Sequence, residues 1–153
     1  YDGTDWTAGG DLNTAIRWSG GGATQTAGIS YGGFTGTNWP VQTEEYNGSS
    51  WATAGDMSQA RQTYSGGGGG NTQTDTLAAG GYNAPQSPNI YNNTELYNGT
   101  SWSAAPNLGT ARGYGTGGGT ASSGILAGSV ISTVTAATEE FTGGATTRTV
   151  DVS

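Results

Sequence analysis

Cysteine, histidine and lysine are all missing from this 153-residue chain. Without cysteine there is no disulfide, no thiolate nucleophile and no zinc site built on sulfur. Without histidine there is no imidazole ligand and no triad with an imidazole base. Most hydrolytic chemistry is thereby excluded. The lack of disulfides leaves the compartment open, since their presence marks export but their absence marks nothing. Positive charge is almost as scarce: four basic residues, all arginine, face 11 carboxylates, giving a net charge of −7 and a pI near 4.1. Such a surface cannot neutralise phosphates, so nucleic acid is not an expected partner. It also disfavours anionic lipid, and no apolar run approaches the roughly 20 residues that cross a bilayer as a helix; no membrane insertion is expected.

Large apolar residues are few as well. Hydrophobic residues make up 32% of the chain against 30 glycines, too little for a conventional globular core. That balance would suit disorder, were the aromatics not placed at fixed phase. Tyr1-Asp2-Gly3-Thr4-Asp5-Trp6 returns as Tyr46-Asn47-Gly48-Ser49-Ser50-Trp51 and again as Tyr97-Asn98-Gly99-Thr100-Ser101-Trp102. The tyrosines stand 45 and then 51 residues apart, and Phe141-Thr142-Gly143-Gly144 opens a degenerate fourth copy 44 residues later. A period of this size belongs to a repeat scaffold of propeller type.

One unit carries the grammar of all. Tyr46 and Trp51 fall on successive strands with Asn47-Gly48 between them, a dipeptide that predicts a tight type I′ hairpin. After each tryptophan a connection carries one large apolar residue six positions on, Leu12, Met57 or Leu108, which predicts a packing pin. A short strand is then expected over 61–65, a wide bend through the glycine run 66–70, and a second strand over 76–82 with a diglycine at Gly80-Gly81. No segment holds apolar residues at helical spacing for three turns, so helix is not expected. The strand-like segment 146–152 stops without a tail, as a natural C-terminus does, whereas Tyr1 falls in mid-repeat, which predicts further repeats upstream.

Two carboxylate doublets, Glu44-Glu45 and Glu139-Glu140, invite an acid–base or calcium reading. They recur at one strand position of different units, and adjacent strand residues point to opposite faces, so the groups should be held apart rather than converge. The scattered Asp2, Asp5, Asp11, Asp56 and Asp75 form no Asp-x-Asp-x-Asp-Gly loop, so the sequence supports no particular metal site and leaves metal binding by these carboxylates open. Arg61 and Arg112 share a phase, which favours hydrogen bonds to neighbouring carbonyls or carboxylates over an anion site. Residues free of repeat constraints are better candidates for recognition. The connection after the second strand varies most: Thr35-Gly36-Thr37-Asn38-Trp39-Pro40-Val41 in one unit, and the longer 83–92 in the next. Trp39, Tyr82 and Tyr91 there, beside the amides of Gln86 and Asn89, would suit sugar rings or a protein neighbour. The alternative is that these aromatics cap adjacent units. On the binding reading, replacing Trp39 and Tyr91 with alanine removes binding and leaves thermal unfolding within a few degrees.

The order of these features resembles the kelch repeat of β-propellers. The resemblance rests on Gly80-Gly81, Glu95 to Tyr97, Trp102 and Arg112, and on Gly32-Gly33, Glu45-Tyr46, Trp51 and Arg61 one unit earlier. Two positions depart from it: Ala127-Gly128-Ser129 stands in place of a diglycine, and Ile16-Arg17 where alanine and arginine should adjoin. The run Thr43 to Trp51, with its Gly-Thr-rich return, is similar to kelch-like repeats in predicted structural proteins of marine bacteriophages. The resemblance implies an all-β propeller with a partial blade at 1–14 and repeats at approximately 15–59, 60–110 and 111–153. Its ring would be completed by missing upstream repeats or by oligomerisation. It further implies a non-enzymatic structural or binding module of a phage virion or tail appendage. Partners would be other appendage subunits, further copies of the chain and host surface polysaccharide. A secreted bacterial kelch-like lectin or adhesin, extracellular rather than virion-borne, is the alternative. Some kelch propellers are copper oxidases, but that chemistry needs histidines and a modified cysteine, so no cofactor is expected.

Overall fold

The structure is a computed structural model that describes residues 3–63, 73–84, 89–130, 134–143 and 146–150, with backbone alone at Ala23, Val130 and 146–150. It is all-β: the described residues contain no helix and form three antiparallel sheets. The first is β1 (Gly20–Thr24), β2 (Ala27–Tyr31), β3 (Thr43–Tyr46) and β4 (Trp51–Ala54). The second is β5 (Thr76–Ala79), β6 (Thr94–Tyr97) and β7 (Trp102–Ala105). The third is β8 (Thr116–Thr120), β9 (Ser123–Val130), β10 (Val134–Thr142) and β11 (Thr146–Val150). In each, strands neighbour one another in chain order, as an up-and-down meander.

The sheets pack face to face in sequence order. Strand alternation puts Ile29, Tyr31, Thr43 and Glu45 on the face of the first sheet that meets the second. There Ile29, Tyr31, Met57, Ala78 and Tyr97 form one buried cluster. Tyr31 packs on Trp102 at 5.0 Å between ring centres, and the Trp102 indole donates to Thr43 Oγ1 at 2.9 Å. Ala79, Leu108 and Leu126 make the corresponding cluster between the second and third sheets. Met57 and Leu108 are thus buried pins, whereas Leu12 is half-buried. The described residues form no closed ring.

Three local expectations need correction. The Asn-Gly corners are not two-residue type I′ turns: Tyr46 pairs with Trp51, so residues 47–50 form a four-residue loop. Only Gly48, at φ +96°, takes the left-handed conformation there. Asn47 instead accepts from the backbone N–H groups of Ser49 and Ser50 through Oδ1, both at 3.0 Å, and Asn98 does the same for Thr100 and Ser101. The side chain makes the turn. Secondly, the glycine runs that are described, Gly20–Gly22 and Gly117–Gly119, are edge strands of their sheets and not bends. A Cβ on Gly20 would lie 2.3 Å from the Tyr31 ring, so a residue with a side chain does not fit at that position beside the tyrosine. The run at 66–70 lies outside the described residues. Thirdly, of the strands expected over 61–65 and 76–82, the former shows a single bridge, Gln62 to Tyr82, among its described residues, and the latter ends at Ala79. Gly80 and Gly81 break it at φ +65° and +117°.

Candidate functional site

The carboxylate doublets divide their labour by face. Glu44, Glu95 and Glu139, one per sheet, are each at most 2% exposed and clamp the connection that precedes their sheet. Glu44 accepts from the backbone N–H groups of Asn13 and Thr14. Glu95 takes the backbone N–H and hydroxyl of Ser58, at 2.7 and 2.8 Å, and Glu139 takes the N–H groups of Gly109 and Thr110. Glu95 also pairs with Arg61, and Glu139 with Arg112. The Arg61 guanidinium, fully buried, donates in addition to the carbonyls of Gly80 and Asn93. Burial pulls its pKa down, and the Glu95 charge opposes that pull. Arg61 and Arg112 are therefore inter-sheet ties. In the first unit Ile16 occupies the arginine position; the Asn13 amide and the Gln42 amide, both 2.8 Å from Glu44, supply donors in its stead.

The second member of the first doublet points the other way, since Glu45 Oε1 accepts from the Tyr97 hydroxyl of the following sheet at 2.9 Å. Burial, and then this carboxylate, push the Tyr97 phenol up to about 12, and burial pushes Tyr31 up further still. Both shifts favour the neutral phenol in the folded state. Their stabilisation is complete below the ordinary tyrosine pKa of 10 and is lost as pH rises through the folded values. We expect the urea midpoint to fall steeply from pH 10 to about 12, and to fall less in a Tyr31→Phe/Tyr97→Phe double variant. Equal slopes in the two proteins would refute this linkage.

Aromatic groups gather where the chain enters the first sheet. Arg17 and Phe34 exchange backbone hydrogen bonds at 3.0 and 2.8 Å, which sets them opposite each other. Trp18 follows in the left-handed region at φ +59°, 40% exposed, and lies almost parallel to Phe34 at 5.9 Å. The exposed Arg17 guanidinium covers Trp18 at 4.2 Å from the ring centre and reaches Phe34 at 5.2 Å. Trp39 closes the row, 4.4 Å from Phe34. Its approach is fixed by Thr35, whose Oγ1 accepts from the Asn38 N–H at 3.0 Å and whose own N–H donates to the Asn38 carbonyl. Beside this row a shallow depression of about 300 Å³ is lined by Ala15, Ile16, Arg17, Phe34, Thr35 and Gly36. Tyr114 holds the position in the third unit that Trp18 holds in the first, two residues past the arginine position. It too has positive φ, +60°, is 40% exposed, and packs on Tyr82 at 5.3 Å.

The residues singled out from sequence thus separate. Trp39 and Tyr82 belong to two aromatic groups. Trp39 is half-buried, and its indole N–H is shielded without a hydrogen-bond partner among the described residues. Asn89 is exposed and its carbonyl accepts from Asn83. Tyr91 is half-buried with its phenol in the field of Arg61; burial raises its pKa and that guanidinium lowers it. Gln86 lies outside the described residues. Trp18, Arg17 and Tyr114 were missed. The signal for them was the recurrence of a large aromatic two positions beyond the arginine position, at Trp18 and Tyr114 but not at Thr63. Among the described residues no group of three or more Asp and Glu converges to hold a metal ion. No protein-family model matches the chain, and no curated protein does.

Proposed function

We propose that this chain is a non-enzymatic binding module, built as an arc of a kelch-type β-propeller, whose Trp18–Phe34–Trp39 end stacks on the sugar rings of a surface polysaccharide. One observation carries the reading: Trp18 and Tyr114, at one repeat position, both hold a bulky side chain at positive φ and keep it partly in solvent. Such backbone costs about 1–3 kcal/mol per residue and persists where its surroundings impose it, often at sites of recognition. The partly exposed Trp18 indole and the Arg17 guanidinium that covers it offer the C–H groups of a sugar an apolar contact and its hydroxyls a donor. The buried carboxylates support the non-enzymatic part, because each is occupied by amides or a guanidinium. The setting that suits this module is a phage virion or tail appendage, with neighbouring appendage subunits as its protein partners.

The test is retention on immobilised bacterial surface polysaccharides, read together with quenching of tryptophan fluorescence. Trp18→Ala and Trp39→Ala should each weaken retention at least tenfold while Tm stays within a few degrees. Retention by the unaltered chain that both variants keep would sink the assignment of the site, and turnover of the polysaccharide would sink the non-enzymatic reading.

A further inference from the structure

A second aromatic pair joins the second unit to the third. The Tyr82 and Tyr114 rings stand 5.3 Å apart and are tilted by 41°. Tyr82 follows the diglycine of its unit as Phe34 does in the first. Its backbone N–H and carbonyl are both bonded to Gln62, at 3.0 and 2.9 Å, as those of Phe34 are bonded to Arg17. Backbone bonds also bring Tyr114 alongside. The Gly81 N–H donates to the Arg112 carbonyl at 2.8 Å, and the Arg112 N–H donates to the Tyr91 carbonyl at 2.9 Å. The pair is thus held in place by main chain on both sides.

Packing alone does not account for Tyr114. It is flanked by Gly113 and Gly115 in a chain of 30 glycines, yet the residue in the left-handed conformation is the tyrosine. Glycine there would remove the conformational cost, and the ring that carries the cost keeps 40% of its surface in solvent. Thr63, at the same position of the middle unit, is the contrast: it is 2% exposed and has no positive φ. Nor does a neighbouring unit cover the position from either side. Trp18 stays 40% exposed beside the following unit, whose Thr63 N–H donates to its carbonyl at 3.1 Å, and Tyr114 stays 40% exposed against the preceding one.

We infer that Tyr82 and Tyr114 form a second sugar subsite, so that one polysaccharide molecule is held at two points, near Trp18 and near Tyr114. The inference rests on the proposed function and deepens it, since it makes the ligand a polymer long enough to reach both. The two rings offer apolar contact to sugar C–H groups, and their hydroxyls donate and accept. Asn89 is exposed next to Ile90, the bridge partner of Tyr82, and adds an amide. Sheets packed face to face lie about 10 Å apart, which sets subsites in the first and third units roughly 10–20 Å apart. A polymer spans that distance and a single ring does not. Two linked contacts then raise affinity through effective concentration, without either subsite becoming stronger.

The test compares soluble bacterial capsular and O-antigen polysaccharides with di- and trisaccharides cut from them, by quenching of tryptophan fluorescence. With concentrations counted in sugar units, the unaltered chain should bind polymer at least tenfold more tightly than fragments. In Tyr114→Gly that advantage should vanish, while the fragment midpoint, which reports the Trp18 subsite, stays where it was. Tm should hold within a few degrees or rise, because glycine relieves the backbone. A polymer advantage that survives Tyr114→Gly would overturn the second subsite and leave the first standing. So would a fragment midpoint that shifts as far as the polymer's, or a large fall in Tm, since either would mark Tyr114 as a packing residue. If neither polymer nor fragments quench the unaltered chain, the first subsite falls together with the second.

Discussion

Glu95→Gln is expected to cost about 3–5 kcal/mol of folding stability, the range found when one partner of a buried ion pair is removed. Arg61 is fully buried and Glu95 is 2% exposed, so the substitution leaves a guanidinium charge out of water with only carbonyl partners. The same carboxylate also satisfies the Ser58 N–H and hydroxyl, and an amide has one acceptor oxygen for the three donors. Against a total of about 5–15 kcal/mol for an ordinary domain, this loss removes a large share of the folding free energy. The equivalent change in the first unit is the control. Among the described residues Glu44 has no guanidinium partner, so Glu44→Gln should cost about 1–3 kcal/mol, the price of imperfectly satisfied buried amides. A double change, Arg61→Met with Glu95→Gln, should lose less than the sum of the single losses, because the second step removes the charge that the first left unpaired. Urea unfolding read by tryptophan fluorescence gives all three values. Equal losses at Glu44 and Glu95, or strict additivity of the pair, would show that the guanidinium does not set the scale.

Much of this arrangement was legible in the letters. The tyrosine and tryptophan of each repeat announced two paired strands, and Tyr46–Trp51 and Tyr97–Trp102 are indeed cross-strand partners. The shared phase of Arg61 and Arg112 pointed to structural hydrogen bonds, and both make them. The glycine edge strands were not legible, because glycine ordinarily argues against strand; in Gly20–Gly22 the Tyr31 ring fills the space a side chain at Gly20 would need. Nor did the doublets reveal which glutamate does what. Only the position shared by Glu44, Glu95 and Glu139 clamps a connection; the next holds glutamate, leucine and glutamate at 45, 96 and 140 and varies with the sheet it meets.

The aromatic site was half legible for a related reason. Variation between repeats drew attention to Trp39 and Tyr82, since the connections differ most there. Trp18 and Tyr114 sit at a position whose third member is Thr63, and what distinguishes them is a backbone angle that composition and spacing do not encode. Tyr91 shows the converse: a surface connection brought its ring into the field of Arg61, because its backbone N–H and carbonyl are engaged by Gly81 and Arg112.

The second large effect is expected at the first glycine of the diglycine. Gly32, Gly80 and Gly128 hold the same repeat position at φ +60°, +65° and +64°, so alanine meets the same conformational cost of about 1 kcal/mol at each. The surroundings differ. A Cβ at Gly32 would stand 2.5 Å from the Arg61 carbonyl oxygen, and one at Gly80 would stand 2.5 Å from that of Arg112, because the next connection crosses directly over both. Those carbonyls belong to backbone already held by the second glycine, Gly33 bonding Arg61 at 2.9 Å and Gly81 bonding Arg112 at 2.8 Å. The connection cannot retreat without breaking that bond and loosening the arginine behind it. At Gly128 the nearest atom among the described residues, the Thr135 carbonyl oxygen, is 3.7 Å away, an ordinary contact. Gly32→Ala and Gly80→Ala should therefore each destabilise by about 3 kcal/mol or more, while Gly128→Ala costs about 1 kcal/mol. Chemical denaturation of the three variants at low protein concentration reads the contrast directly. Three equal losses would mean that backbone conformation alone governs the position and that the crossing connections yield, which the two bonded glycine amides argue they do not.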